Sequence, residues 1–182
     1  MDKHTLRTRL ALERDAIPPQ NRITASAHII ENAIWLANEA KRIGIYISFS
    51  SEVDTIDAIT TWLLEGKEIF VPRMLGDDFQ WVRLNDFKTL KTNDFGIAEP
   101  VDGEIVDIDS LDIVFVPLLG FDEALHRIGH GKGCFDRALK NYGGKKIGLS
   151  YAQAYVKTIY PTPSDVALDI IITEKEIYSR HR

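Results

Sequence analysis

Arg42-Ile43-Gly44-Ile45-Tyr46-Ile47 is followed by a polar stretch, Ser48-Phe49-Ser50-Ser51-Glu52-Val53-Asp54, and by a segment with Ile56, Ile59 and Leu63 at helical spacing. Glu68-Ile69-Phe70-Val71 comes next. The outer two runs are short and rich in β-branched and aromatic residues, as buried strands are. The segment between them has the helical period, with Asp54 or Thr55 where an N-cap belongs and Gly66 where a helix stops. Pro72-Arg73 is expected to close the second strand. Strand, helix, strand at this spacing is a βαβ unit, whose crossover makes the two strands parallel. The chain is therefore read as α/β with a mostly parallel sheet.

The rest of the chain extends this unit in both directions. Residues from Asp2 to about Ala16 place Leu6 and Leu10 on one helical face, with Lys3 and Arg7 four apart on another. Pro18-Pro19 ends that helix and opens a second, in which Ile23, Ala27, Ile30 and Ile34 recur at helical spacing. Downstream, Phe79 to Leu84 reads as a short strand of a hairpin layer, Phe95 to Pro100 as an ordered loop, and Ile113 to Val116 as a buried strand ended by Pro117. A helix is expected from about Phe135 to Tyr142, a strand over Lys146 to Leu149, and a last strand over Asp169 to Thr173. Ligands of open α/β sheets gather beyond the carboxyl ends of strands. Glu52, Arg73 and a glycine-rich loop all follow strands, so they are expected to converge at one edge.

The chain has 182 residues with 45% hydrophobic and 27% charged side chains, the composition of one ordinary globular domain spanning 1–182. A net charge of −5 argues against a coat for nucleic acid or for an anionic membrane. Cys134 is the single cysteine, which excludes an intrachain disulfide and a cysteine-rich zinc site. The first residues, Met1 to Arg7, contain no apolar segment of the kind a signal peptide needs, and the apolar run around Ile113 to Phe121 is too short to cross a bilayer. A cytoplasmic monomer that binds neither nucleic acid nor membrane is the expectation.

The densest chemistry lies in Arg127-Ile128-Gly129-His130-Gly131-Lys132-Gly133-Cys134-Phe135-Asp136-Arg137. Alternating glycines let a backbone approach a ligand closely, and successive amides in such a loop make an anion-binding concavity. A helix start would add free N–H groups. Arg127, Lys132 and Arg137 are cations beside it, and Asp136 is a hard oxygen ligand suited to Mg²⁺. A nucleoside triphosphate site needs these parts. The loop is not a Walker A, because no Ser or Thr follows Lys132, and the spacing is not G-x-G-x-x-G. Read without further context, the same residues also describe a glycine turn capping a helix, with Asp136 at its dipole.

Taken together, the motifs identify the chain as similar to the 5-formyltetrahydrofolate cyclo-ligase (methenyltetrahydrofolate synthetase) family. The resemblance runs from Lys3-x-x-Leu6-Arg7 through Ser51-Glu52-Val53-Asp54-Thr55, Pro72-Arg73 and Phe95-Gly96-Ile97-Ala98-Glu99-Pro100. It continues through Val116-Pro117, Gly120-Phe121-Asp122 and Arg127–Arg137. It closes on Gly148-Leu149-Ser150-Tyr151-Ala152-Gln153 and Asp165 to Glu174. In the densest segment the family reads R-L-G-x-G-x-G-Y-Y-D-R. This chain has Cys134-Phe135 in place of the tyrosine pair, so two hydroxyls are missing.

The resemblance implies a three-layer α/β/α domain of the type shared with sugar-phosphate isomerases and CoA-transferases. It also implies ATP- and Mg²⁺-dependent ring closure of 5-formyltetrahydrofolate, with or without a polyglutamate tail. On that pattern Lys3, Arg7, Arg127, Lys132 and the backbone of Gly129, Gly131 and Gly133 hold the phosphates, with Arg127 and Asp136 catalytic. Asp136 is the Mg²⁺ ligand and Asp165 a second acidic group near it. Glu52 binds the pterin, and Trp81, Phe135 and Tyr151 pack on the flat rings. Two other readings share the same residues: a phosphosugar or CoA-type enzyme on this fold, and a non-catalytic folate- or nucleotide-binding regulator.

Overall fold

The structure, a computed structural model, describes residues 1–180. Two helices come first, α1 (Lys3–Asp15) and α2 (Pro19–Leu36), followed by strand β1 (Arg42–Ile45), helix α3 (Ile56–Leu64) and strands β2 (Glu68–Leu75) and β3 (Asp78–Leu84). Short strands β4 (Leu90–Thr92), β5 (Ala98–Pro100) and β6 (Ile105–Val106) lead to β7 (Ile113–Pro117). The hairpin of β8 (Gly120–Phe121) and β9 (Arg127–Ile128), helix α4 (Cys134–Leu139), and strands β10 (Lys145–Leu149), β11 (Ile170–Ile172) and β12 (Ile177–Ser179) complete the chain.

The main sheet has eight strands in the order β12-β11-β10-β7-β1-β2-β3-β6. The five central strands, β11 to β2 in that order, are parallel, and β12, β3 and β6 pair antiparallel at the edges. From β1 the chain crosses to β2 on one side, whereas β7, β10 and β11 build outward on the other. The reversal creates a crevice at the carboxyl ends of β1 and β7.

Strand alternation divides the core between two faces. On one, Ile43, Ile45, Ile69, Phe115 and Leu149 pack under α2 and α3. On the other, Phe70, Val114, Val116 and Ile171 meet Leu139 of α4, Tyr142 and Phe121 of the β8–β9 hairpin. The second outer layer is thin, one short helix and irregular segments. Helix α1 stands apart: Leu6 and Leu10 form a small cluster with Leu119, Ile128 and Ile159, which docks α1 beside the glycine loop.

Four expectations are corrected. Pro72 does not end its strand; β2 continues to Leu75, with Pro72 opposite Trp81. Pairing with β1 stops at Phe70, so the β1 side of the strand is unpaired where the proline sits, and its missing N–H costs no ladder bond there. Helix α2 turns Ala25, Ser26, Ile29, Ile30 and Ala33 inward, while Ile23 is exposed. Small residues let the helix lie close to the sheet, and counting large side chains hides that face. Helix α4 ends at Leu139, short of Tyr142. A further strand, β12, follows the one expected to be last.

Trp62 of α3 is fully buried and stacks on Phe115 of β7, ring centroids 5.4 Å apart. Its indole N–H has no hydrogen-bond partner. Trp62→Ala is expected to lower the unfolding free energy by about 3–5 kcal/mol in a denaturant titration. Trp62→Phe should cost far less, since the ring stack survives and an unpaired buried N–H is removed.

Candidate active site

A cleft of about 930 Å³ opens at the carboxyl ends of the central strands. Tyr46 and Ile47 after β1, Pro72 and Met74 of β2, and Pro117 of β7 form its floor. The walls are the first turns of α1, the glycine loop with α4, the Phe49–Glu52 turn, the Phe95–Glu99 segment and residues 162–166. The size is that of a site for a large organic ligand.

Arg127, the last polar residue before the loop, is 6% exposed. Its Nη1 donates to the Pro117 carbonyl at 3.3 Å, Nη2 stands 3.8 Å from Asp136 Oδ1, and Nε has no partner. The guanidinium lies 5.5 Å over the ring of Phe135. Burial pulls its pKa down while Asp136 and Asp165 pull it up; an arginine stays charged under such a balance. The result is a buried cation with donor capacity to spare at the cleft wall.

The three glycines are explained by guanidinium groups. A Cβ on Gly129 would lie 2.7 Å from Arg127 Nη1, one on Gly131 3.2 Å from Arg7 Cζ, and one on Gly133 3.0 Å from Arg137 Nη1. Gly131 and Gly133 also have φ of +102° and +71°, the region where other residues are strained. Arg7 Nε donates to the Gly129 carbonyl at 2.8 Å, so α1 and the loop are locked together. On the other flank Arg137 bonds the Lys132 carbonyl at 2.8 Å, Asp78 Oδ1 at 2.7 Å and the Asp77 carbonyl at 3.0 Å, tying the loop to the β2–β3 turn. Cys134 Sγ joins this clasp, 3.0 Å from the Asp77 carbonyl. Helix α4, at six residues, brings little macrodipole. Positive charge at the loop comes from side chains instead.

The two acidic residues expected at the metal lie side by side. Asp136 Oδ1 accepts the Val166 N–H at 3.2 Å, which draws residues 165–166 against α4. Asp165 is engaged by the Lys3 ammonium and accepts the Thr162 N–H at 2.8 Å. Burial works to raise the Asp165 carboxyl, but these hydrogen bonds bring it below the ordinary range. Among the described residues, no three His, Cys, Asp or Glu side chains converge on one metal position.

Glu52 is half-buried on the cleft wall and accepts the Phe49 N–H at 2.8 Å. Burial lifts its carboxyl from the ordinary 4.5 to about 7, and the Phe49 N–H and the charge of Arg14 hold it from going higher.

Lys3, Arg7, Glu52, Arg127, Gly129, Gly131, Lys132, Gly133, Phe135, Asp136 and Asp165 all line this one cleft. Trp81 and Tyr151 do not. Trp81 is buried behind the wall, with Phe79 and Phe135 between it and the cleft. It shares the face of β3 that carries Phe79, opposite Pro72, but lies two residues deeper, packed with Phe70, Leu111 and Val114 in the core. Tyr151 is 3% exposed, and its hydroxyl donates to the carbonyls of Ser51 (3.1 Å) and Glu52 (3.2 Å). It braces the Glu52 turn from beneath. Arg73 faces away, bonded to the Val101 carbonyl and to Gln80.

Several cleft residues were not picked out from the sequence. Phe49 and Phe95 stand at the rim, and the Lys132 ammonium lies 4.6 Å over the Phe95 ring. Glu99 accepts from Met74 N–H (3.0 Å) and Asn93 (3.1 Å), which pins the 93–99 segment to β2. The Phe-Gly-Ile-Ala-Glu-Pro string is visible in the sequence, but its place on the cleft comes from the β4–β5 pairing and the Glu99 bond to β2.

The comparisons with known proteins agree with this geometry. The 5-formyltetrahydrofolate cyclo-ligase family matches residues 1–174. A Haemophilus influenzae protein named 5-formyltetrahydrofolate cyclo-ligase is 28% identical over 181 residues, covering 93% of this chain and 97% of that one. A Mus musculus protein of the same name is 30% identical over 149 residues, covering 76% and 73%. The solution structure of Aquifex aeolicus 5,10-methenyltetrahydrofolate synthetase superposes with a TM-score of 0.89 at 30% identity, covering 98% of this chain and 93% of that one. Among the described residues no helix is long and apolar enough to cross a membrane. With its parallel sheet, its strand-end cleft and its glycine loop packed against three arginines, the chain belongs to the 5-formyltetrahydrofolate cyclo-ligase family.

Proposed function

We propose that this cyclo-ligase uses ATP and Mg²⁺ to convert 5-formyltetrahydrofolate into 5,10-methenyltetrahydrofolate, releasing ADP and phosphate. The observation that carries the reading is the cleft's division of labour. Arg127, Arg7, Lys3 and Lys132 gather around the glycine loop, while a carboxylate, Glu52, stands on a separate turn. The first set suits a triphosphate, the second a ring edge bearing N–H donors.

In the proposed reaction the formyl oxygen attacks the γ-phosphorus of ATP and the bond to ADP breaks. N5 shares its lone pair with the formyl carbon, so the oxygen leaves as phosphate once N10 has attacked that carbon and lost its proton. An amide oxygen is a poor leaving group and its phosphate ester a good one. The chain's task is then positioning and charge neutralisation. Arg127 can present its fixed charge to the transferring group without reorganising, because Phe135, Pro117 and Asp136 already hold it. Phe79 and Phe135 offer an apolar wall to flat rings. The ring of Phe135 remains where the family has tyrosine; the hydroxyls do not, and the nearest polar contact of Cys134 is the Asp77 carbonyl.

Asp136, with its second carboxylate oxygen uncommitted, fits a Mg²⁺ ion held by one carboxylate, phosphate oxygens and water. Asp165 serves beside it as a second acidic group that orients Lys3. The ion would neutralise charge on the phosphates.

A spectrophotometric assay for the conjugated methenyl product, run with 5-formyltetrahydrofolate, ATP and Mg²⁺ and with each omitted, tests the reading. Product is expected only when all three are present; product without ATP would overturn it. Asp136→Asn is expected to lower kcat by about 100-fold or more with a native circular dichroism spectrum. Unchanged Mg²⁺-dependent turnover would remove Asp136 from the metal.

The raised Glu52 carboxyl makes a pH prediction. If the carboxylate binds the pterin, kcat/KM for the folate rises with pH through about 7, where Glu52 ionises in the free enzyme. Glu52→Gln should flatten that limb and raise the folate KM by roughly 10-fold or more, with KM for ATP little changed. Stability moves the other way. Because the folded value lies above the unfolded one, the contribution of Glu52 to stability falls as pH rises from 4.5 to about 7. Glu52→Gln should lose that slope in thermal melts of the free protein.

A further inference from the structure

The last turn of α1 packs beneath the Ser51–Glu52 turn that forms part of the cleft wall. Arg14 is 9% exposed, and its Nε donates to Ser51 Oγ at 2.9 Å. Ser51 is buried as well and donates its hydroxyl to Asp15. From the opposite side Tyr151 donates to the carbonyls of Ser51 and Glu52. The peptide that carries Glu52 is therefore fastened to α1 through Arg14 and Asp15, and to the segment after β10 through Tyr151. The position of the carboxylate depends on these fastenings.

Arg14 also supplies charge. It is the cation acting on the half-buried Glu52, and it works against the burial that favours the neutral acid. The other titratable groups around the turn give no such help. Tyr46 at the end of β1 and Tyr151 are phenols raised by burial and stay neutral. Asp54, in the same loop, is an acid with its Oδ1 committed to the Ile56 N–H and Ser48. His130 of the glycine loop is lowered by burial and by Arg14, Arg127 and Arg7, with Asp15 acting the other way.

We propose that Arg14 is a positioning residue for the substrate-binding carboxylate: it anchors the Ser51–Glu52 turn and provides the positive field in which Glu52 meets the pterin. This rests on the reading of Glu52 as that carboxylate. Helical geometry explains the arrangement. At about 100° per residue Lys3, Arg7 and Arg14 fall within about 40° of one another on α1. Arg14 lies about 10 Å further along than Arg7. One stripe of cations thus faces the phosphate loop at its start and the Glu52 turn at its end. Arg14, committed to Ser51, does not line the cleft and has no direct part in holding phosphate.

The test is the pH profile of kcat/KM for 5-formyltetrahydrofolate at saturating ATP and Mg²⁺, measured for Arg14→Gln, Arg14→Lys and Glu52→Gln. Arg14→Gln keeps a donor for Ser51 and removes the charge. Its acidic limb is expected to move to higher pH by roughly half a unit or more, with a raised folate KM at neutral pH and a KM for ATP within about twofold of wild type. Arg14→Lys, which keeps the charge, should return most of the shift. Arg14→Met gives a second charge-free variant, with the same expected shift, should Arg14→Gln fail to fold. A uniform loss at every pH with the limb in place, while Glu52→Gln flattens it, makes Arg14 a structural prop and overturns the proposal. A Glu52→Gln enzyme with an unaltered limb and folate KM overturns the reading of Glu52, and this proposal with it.

Discussion

A guanidinium shut away from water sets the terms for the whole cleft. Moving a charge into a protein wall is costly unless hydrogen bonds and opposite charge surround it. Arg127 obtains these from the Pro117 carbonyl, Asp136 and the face of Phe135. Those contacts constrain their neighbours in turn. β7 must end with its last carbonyl turned to the arginine, α4 must begin where Phe135 and Asp136 can reach it, and position 129 has room for hydrogen only. The glycine loop is as much a consequence of packed arginines as a flexible cradle. Two of its three glycines have positive φ, and all three leave space that a guanidinium fills.

Much of this was readable before any coordinates. The βαβ unit at 42–71 implied parallel pairing, and the rule that ligands gather beyond strand carboxyl ends put Glu52 and the glycine loop at one edge. Lys3 and Arg7 shared a face by spacing, and the Arg127–Arg137 string carried its cations and acid in one short segment. What escaped was direction. Tyr151 reads as a ring surface in the sequence, yet its hydroxyl is what matters, reaching two carbonyls about a hundred positions away in sequence. Trp81 and Arg73 sit on adjacent strands of a hairpin but on opposite faces: Arg73 points away from the cleft, whereas Trp81 shares the face of Phe79 and lies deeper in the core, and neither placement could be assigned before the register was known.

Arg14 escaped for another reason. A lone arginine at the end of an amphipathic helix reads as a solvated charge, and only the packing of the 48–54 turn onto α1 reveals it as buried. Phe49 and Phe95 were likewise ordinary loop aromatics until two distant loops met at the rim, where Gly96 allows the Phe49 ring to lie against the turn. In each case the missing information was a long-range contact between irregular segments, which periodicity does not encode.

The placement of cations on α1 turns that helix into a ruler. Lys3 and Arg7 mark one graduation and Arg14 another, and the interval between them is counted in whole residues of a stiff rod. A single residue inserted between Arg7 and Arg14 would swing the second mark by about 100° and carry it off the face altogether. Restoring the face would take a near-full turn and displace the mark by about 5.4 Å. Length changes are tolerable in the loops of this fold, but between those two arginines the register of the chain is fixed by the distance between the two groups its cleft must bring together.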